Sequence, residues 1–298
     1  GTLTAIDQGH HADGAVILEP TSLDLCPIQS GALTFRLETR GLATHAAAKN
    51  EGVSAIDKMR LLLSAIDALE VRRHQAQRQP LFEDPTHVAP INVGTFVAGD
   101  WHSTVPDHGV VEGRFGVFPG ESIEDARRAL ETALETAVAS DPWLREHPPR
   151  LTWIEGQFES GQTPVDHPLV GALAVAHRDA TGADGKLRGV TYGSDLRLFT
   201  NHAQMPAVLY GPGDLKEAHA IDESVAIDDI MVAARTVVRL LVRWCGLWPS
   251  KPTGVSTTAP NGPRVTGQRS ATCVVMWTAR PNCAWVPPWH RAAAGRRL

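Results

Sequence analysis

Ile28-Gln29-Ser30-Gly31-Ala32-Leu33-Thr34-Phe35-Arg36-Leu37-Glu38-Thr39-Arg40 alternates, with Leu33, Phe35 and Leu37 on one face and Thr34, Arg36 and Glu38 on the other. That is the period-two pattern of a strand with one buried side. Gly41 and Gly52 then bracket a loop holding Thr44-His45-Ala46. From Ser54 to Gln79 the apolar residues Ile56, Met59, Leu62, Leu63, Ile66 and Leu69 recur at helical spacing, and Pro80 stops the helix. Residues 91–98 and 109–118 read as two strands, with Gly99-Asp100 as a turn between them. Ser122 caps a helix that carries Leu130, Ala133 and Leu134 and ends near Ser140, and residues 150–158 supply another strand. The order strand, helix, strand, strand, helix, strand predicts a split β-α-β, ferredoxin-like α+β sandwich.

The flanking segments follow another rule. Residues 12–18 end in the apolar run Ala15-Val16-Ile17-Leu18, and Pro206–Tyr210 is a second short apolar strand. Val170–Ala180 and Ile227–Trp244 read as helices, the latter strongly apolar. These pieces predict part of an α/β layer into which the smaller domain is inserted. The expected boundaries are 1–25 and 161–248 for the larger unit and 26–160 for the inserted one. From Pro249 to Leu298 no amphipathic period is found, and this stretch holds seven of the 21 prolines and three of the eight tryptophans. Residues 249–298 are expected to be an irregular tail, either disordered or non-native, such as an out-of-frame extension or a fusion scar.

The tail carries seven Lys/Arg and no acid, so the first 248 residues hold 21 basic against 33 acidic side chains. An acidic body argues against nucleic acid as a partner. No stretch reaches about 18 consecutive apolar residues, so no transmembrane helix or membrane partner is expected. The four cysteines, Cys26, Cys245, Cys273 and Cys283, form no C-x-x-C pair, which favours a reducing, cytoplasmic setting over a disulfide framework.

Three residues stand where chemistry is placed in such folds. Glu19 follows Val16-Ile17-Leu18 directly. It is either a carboxylate aimed into a sheet-edge crevice, as a metal needs, or a strand-end glutamate in solvent. His219 ends the loop Gly211-Pro212-Gly213-Asp214-Leu215-Lys216-Glu217-Ala218 after an apolar strand, the usual position of ligands in α/β sheets. Its imidazole is either a metal ligand, with Asp222 or Glu223 fixing the tautomer, or a surface-loop group. His45 is either a donor to an anion or oxyanion or a polar loop residue. His11-Ala12-Asp13 lies at the opposite end of its strand from Glu19 and is set aside.

Six strings, in order, carry a resemblance over residues 1–245. They are Gly1-Thr2-Leu3 with Ala12-Asp13-Gly14-Ala15-Val16-Ile17-Leu18-Glu19-Pro20-Thr21; Gly41-Leu42-Ala43-Thr44-His45-Ala46 with Gly52-Val53-Ser54-Ala55-Ile56; Ser103-Thr104-Val105-Pro106; Gly116-Val117-Phe118-Pro119-Gly120-Glu121; Gly193-Ser194-Asp195-Leu196-Arg197; and Tyr210-Gly211-Pro212-Gly213 leading to Ala218-His219. The chain resembles the zinc metallopeptidase and amidohydrolase family of aminoacylase, acetylornithine deacetylase, succinyl-diaminopimelate desuccinylase and carboxypeptidase G. The acetylornithine deacetylase-like branch is the most similar in pattern.

The resemblance implies an α/β fold: a partial zinc-peptidase-like catalytic domain with an inserted ferredoxin-like lid and dimerisation domain. It implies metal-dependent hydrolysis of the amide bond of an N-acyl amino acid or small peptide, and a homodimer paired through the lid. Two zinc ions, or cobalt or manganese in their place, serve each site in the family. Glu19 would ligate one metal and His219 the other. His45 would polarise the scissile carbonyl from across the dimer, and Arg114 would pair with the substrate carboxylate. Gly193, Ser194, Asp195 and Arg197 would line the substrate pocket. Ser103 stands where many relatives have Asn, replacing an amide contact by a shorter hydroxyl. In the family the remaining three ligands and the general base precede the segment matching Gly1. The expectation is therefore an N-terminally truncated chain with an incomplete metal site, inactive alone. The alternative is a catalytically inactive dimerisation fragment.

Overall fold

The computed structural model describes residues 1–218, 220–246 and 273–276. Its elements are α1 (Thr2–Asp7), β1 (Gly14–Ile17), β2 (Leu25–Gln29), β3 (Gly31–Arg40), α2 (Ala55–Ala76), β4 (Ile91–Ala98), β5 (His108–Val117), α3 (Ile123–Ser140), α4 (Pro142–Glu146), β6 (Arg150–Phe158), β7 (Gly161–Gln162), α5 (Pro168–Thr181), β8 (Leu187–Val190), β9 (Ala207–Leu209), α6 (Ile227–Trp244) and β10 (Cys273–Met276). A 3-10 turn over Ala46–Glu51 and a π-helical turn over Leu198–His202 complete the set.

The smaller sheet has the order β4-β5-β3-β6 with every neighbour antiparallel. Together with α2 and α3 this is the ferredoxin-like sandwich that the alternation predicts. Leu33, Phe35 and Leu37 of β3 pack with Met59, Leu62 and Ile66 of α2 and Leu130 and Leu134 of α3. Ser54 caps α2 by accepting from Asp57 N, and Ser122 caps α3 by accepting from Asp125 N. The opposite face is polar, and Arg36 there pairs with Glu38 and Glu112 at 2.9 Å each.

The predicted strand over residues 28–40 is in fact two strands in two different sheets. The break is Ser30, which is fully buried. Its N–H donates to Val190 O at 2.9 Å and its hydroxyl to Val88 O at 2.6 Å. Gly31 then runs so close to the returning chain that a Cβ would lie 2.4 Å from Phe158 O, so only glycine fits.

The larger sheet runs β10-β1-β9-β2-β7, with β8 also paired to β2. β1 is parallel to both β9 and β10. All four residues of β1 are buried. Val16 faces the apolar layer of α5 and α6 (Leu169, Leu173, Ala233, Leu240), while Ala15 and Ile17 face Phe199, Leu196 and Met205. Burial on both faces explains why β1 reads as a continuous apolar run rather than an alternating one. The tail differs from expectation at one place: Cys273–Met276, with its β-branched Val274-Val275, forms β10 on the edge of β1. The rest of residues 249–298 lies outside the described residues. The short elements α1, β7, β8 and the π-helical turn carry too few residues to show a period.

Two buried polar contacts join elements, and each yields a test. Arg73 of α2 donates to Gly116 O at 3.0 Å and pairs with Glu121 at 2.6 Å. Its guanidinium lies 4.4 Å from the Phe115 ring centroid. Glu121 also accepts from Phe118 N at 2.8 Å. Glu121→Ala leaves a buried cation unpaired, so urea unfolding should show a loss of about 3–5 kcal/mol; an unchanged midpoint would refute the assignment.

In the larger layer, His177 Nδ1 lies 2.8 Å from the Tyr210 hydroxyl, which donates to Thr236 of α6 at 3.1 Å. Burial holds the His177 pKa below the usual histidine value, against the opposing pull of Asp24 and Asp184. The unfolded chain therefore takes up this proton first. Stability from this group is complete above about pH 6.5 and declines as pH falls toward the folded value. Unfolding midpoints should drop on acidification through that window, and His177→Gln should flatten the drop.

Candidate active site

Glu19 leaves the carboxyl end of β1, where its N–H still donates to Ile17 O at 3.0 Å. The following turn is tied to the loop after β9. Thr21 is fully buried, its hydroxyl donates to Asp24 O at 2.8 Å, and it accepts from Gly211 N at 3.1 Å. Leu23 N donates to Gly211 O at 2.9 Å and Ser22 N to Gly213 O at 2.8 Å. These bonds hold Ser22 and Leu23 at φ of 55° and 65°, a conformation side chains rarely adopt unaided. Gly211 passes Glu19 so closely that a Cβ would meet Glu19 O at 2.5 Å. The two loops, one carrying Glu19 and the other leading toward His219, are thus bonded together through Gly211 and Gly213. His219 itself lies outside the described residues.

Beside Glu19 stands Tyr192. Its hydroxyl donates to Pro20 O at 3.3 Å. Burial, with the charges of Cys26 and Glu19 acting the same way, raises its pKa, so it remains a neutral donor. Burial likewise pushes the Cys26 thiol up to about 12. Arg188 braces the turn through Asp24 at 2.9 Å and Thr21 O at 3.1 Å.

The segment after β8 brings most of the predicted substrate residues together. Arg114 of β5 reaches out of the smaller sheet and donates to Thr191 O at 2.7 Å, with a longer contact of 3.5 Å to Pro90 O. No carboxylate among the described residues pairs with it, and burial lowers its pKa. Arg197 lies over the Phe158 ring at 4.9 Å, and its buried Nε has no hydrogen-bond partner among the described residues. Gly193 lies against Phe158. Two of the predicted residues have internal partners instead. Ser194 is locked to the buried Gln29 side chain, which accepts from Ser194 N at 3.1 Å and donates to Ser194 O at 3.2 Å. The Asp195 carboxylate accepts the Thr2 hydroxyl of α1.

His45 and Ser103 form a separate group in the smaller domain. Ala46 N donates to Ser103 O at 2.9 Å, and His45 forms a bridge with Thr104. His45 Nδ1 accepts from Ala47 N at 3.1 Å, which leaves Nε2 as the ring's donor. The ring is exposed and holds that donor ready. The Ser103 hydroxyl lies 2.9 Å from His102 Nδ1.

Donor chemistry limits what metal this set can hold. Among the described residues no three His, Cys, Asp or Glu side chains converge, whereas a catalytic zinc takes three protein ligands. Glu19 alone does not fit a complete centre. Thr21, Gln29 and Tyr192 are the positioning residues that sequence reading misses. Their only signal is a polar side chain inside or beside an apolar run.

A family model described as a peptidase dimerisation domain matches residues 28–142. The chain is 28% identical over 270 residues to N-formyl-4-amino-5-aminomethyl-2-methylpyrimidine deformylase of Halalkalibacterium halodurans, covering 83% of this chain and 61% of that protein. It is 26% identical over 234 residues to acetylornithine deacetylase of Myxococcus xanthus, covering 78% and 58%. The structure of aminopeptidase PepT from Bacillus cereus matches with a TM-score of 0.61 at 18% identity, over 80% of this chain and 60% of that one, a likeness of fold. The chain spans about three-fifths of the length of the curated relatives it matches. In its inserted domain, in sequence and in fold, the chain is thus similar to amidohydrolases and metallopeptidases of the M20 type.

Proposed function

We propose that the protein is a metal-dependent hydrolase of the amide bond in N-acyl amino acids or short peptides, and that this chain supplies its substrate-holding part. The observation that carries the reading is Arg114. A guanidinium half-sunk between two layers, bonded among the described residues to backbone carbonyls, keeps donors for a ligand carboxylate, and its planar fork suits one. His45 offers an Nε2–H donor of the kind that stabilises charge on a carbonyl oxygen. Its bonds stay within its own domain, so its role needs a second copy paired through the smaller sheet. Zinc, with Glu19 and His219 as ligands to two different ions, is the metal the resemblance favours.

A second reading follows from the deformylase relative, whose named substrate is a formylated aminomethylpyrimidine. An N-formyl amine has no carboxylate to pair with Arg114. Calorimetric titration with an N-acetyl amino acid and with the corresponding N-acetyl amine separates the two. The proposal expects binding of the acid to weaken at least about tenfold, or about 1.4 kcal/mol, in Arg114→Lys, with amine binding unchanged. Equal binding of both by the wild type, unaffected by Arg114→Lys, would favour the deformylase reading. Zinc content and turnover complete the test: this chain alone should hold fewer than two zinc ions and turn over neither ligand.

A further inference from the structure

Between α2 and β4 the chain crosses to the larger layer and comes back. On the way out, Leu81 O accepts from Gly189 N of β8 at 2.7 Å. Phe82 fills the space beside Gly189, where a Cβ would lie 2.3 Å from its ring. Glu83 pairs with Lys186. Residues 83–87 are exposed, and Val88 and Ala89 return fully buried. Pro90 O accepts from Gly116 N at 3.0 Å and lies 3.5 Å from Arg114 Nη1. A Cβ on Gly116 would lie 2.3 Å from the Ala89 carbonyl carbon, so the returning chain rests directly on β5 next to Arg114.

α2 holds this return through two side chains. Ile91 N donates to Glu70 Oε1 at 2.8 Å, and Ala89 N donates to His74 Nε2 at 3.2 Å. His74 is buried, with its ring centroid 5.0 Å from that of Phe118, and its Nδ1 lies 2.9 Å from Glu70 O. A carbonyl oxygen only accepts, so Nδ1 carries a proton. A backbone N–H only donates, so Nε2 carries none. The two backbone groups together select the neutral ring. A second proton on Nε2 would set two donors face to face and break the Ala89 bond.

We propose that His74 is a positioning residue for Arg114: as a neutral acceptor it holds Ala89 and Pro90 against β5 beside the guanidinium, and proton uptake releases that hold. The charged and titratable groups around the ring are Glu70, engaged by Ile91 N; the Arg73–Glu121 pair; and Asp84, bound by Thr86, with His87 beside it. Among the described residues none of these carboxylates bonds the ring, so no acceptor awaits a proton on Nε2. The held state binds one proton fewer than the released one, so the hold is complete at higher pH and is lost as pH falls. The effect on a ligand rests on the reading of Arg114 as the carboxylate site; the hold itself does not.

The test uses the full chain. His74→Gln offers an amide oxygen to Ala89 N–H and an amide N–H to Glu70 O, but takes up no proton. In the wild type the Ala89 amide and the Arg114 side-chain N–H resonances should shift with one midpoint, that of the His74 ring, as pH falls from about 7.5 to about 5.5. In His74→Gln neither should follow that titration. Affinity for an N-acetyl amino acid should fall about fivefold over the same range in the wild type and stay level in His74→Gln. A purely structural role for His74 would give the two proteins the same pH profile and would overturn the proposal. The wild-type titration needs no variant: an Ala89 amide unmoved while the His74 ring titrates, or a ring still neutral at about pH 5, overturns it equally. A wild type that binds no N-acetyl amino acid at either pH would sink the carboxylate reading of Arg114, while the resonances of Ala89 and Arg114 still decide whether His74 positions the guanidinium.

Discussion

The chain passes from one sheet to the other at three residues, and the geometry of every candidate group depends on that passage. Gln29 ends β2, Ser30 bonds to both Val88 and Val190, and Gly31 begins β3 against the returning backbone at Phe158 to Ser160. Gln29 and Ser30 are fully buried. A buried amide and hydroxyl with all their main bonds made cost a great deal to disturb. The junction is therefore a fixed bracket rather than a loose linker. It sets where Arg114, on the outer face of the smaller sheet, meets the segment 191–197.

The same bracket explains a division of labour among polar residues. Gln29 and Thr21 hold loops together through bonds to backbone 165 and 190 residues away. Ser194 and Asp195 are used up in the same work. Among the described residues, Arg114 bonds to backbone carbonyls, the Arg197 Nε is without a hydrogen-bond partner, and the His45 ring is exposed. Glu19 shares its surroundings with Tyr192, kept neutral by burial.

Much of the fold was legible because two periods dominate it. The alternation of Leu33, Phe35 and Leu37 and the helical spacing from Ile56 to Leu69 each persist over several turns or pleats, so packing and local propensity agree. The break at Ser30 was not legible, since only distant partners, Val88 and Val190, reveal the change of sheet. β10 escaped for a related reason: four residues among prolines and glycines show no period, and their strand exists only through pairing with β1. In the site, His45 lies within one of the ordered short motifs, whereas Arg114 lies in none of them and entered only through the resemblance. The Nε2 tautomer of His45 and the internal bonding of Ser194 and Asp195 were not, because those depend on where particular backbone groups lie.

The central claim is that this chain holds a ready anion site at the meeting of its two layers. The most direct measurement is NMR of the arginine side-chain N–H groups during titration with an N-acetyl amino acid. The account predicts a saturable shift of the Arg114 guanidinium resonances that the matching N-acetyl amide, lacking the carboxylate, does not produce. Unmoved Arg114 resonances at concentrations that saturate binding would contradict it.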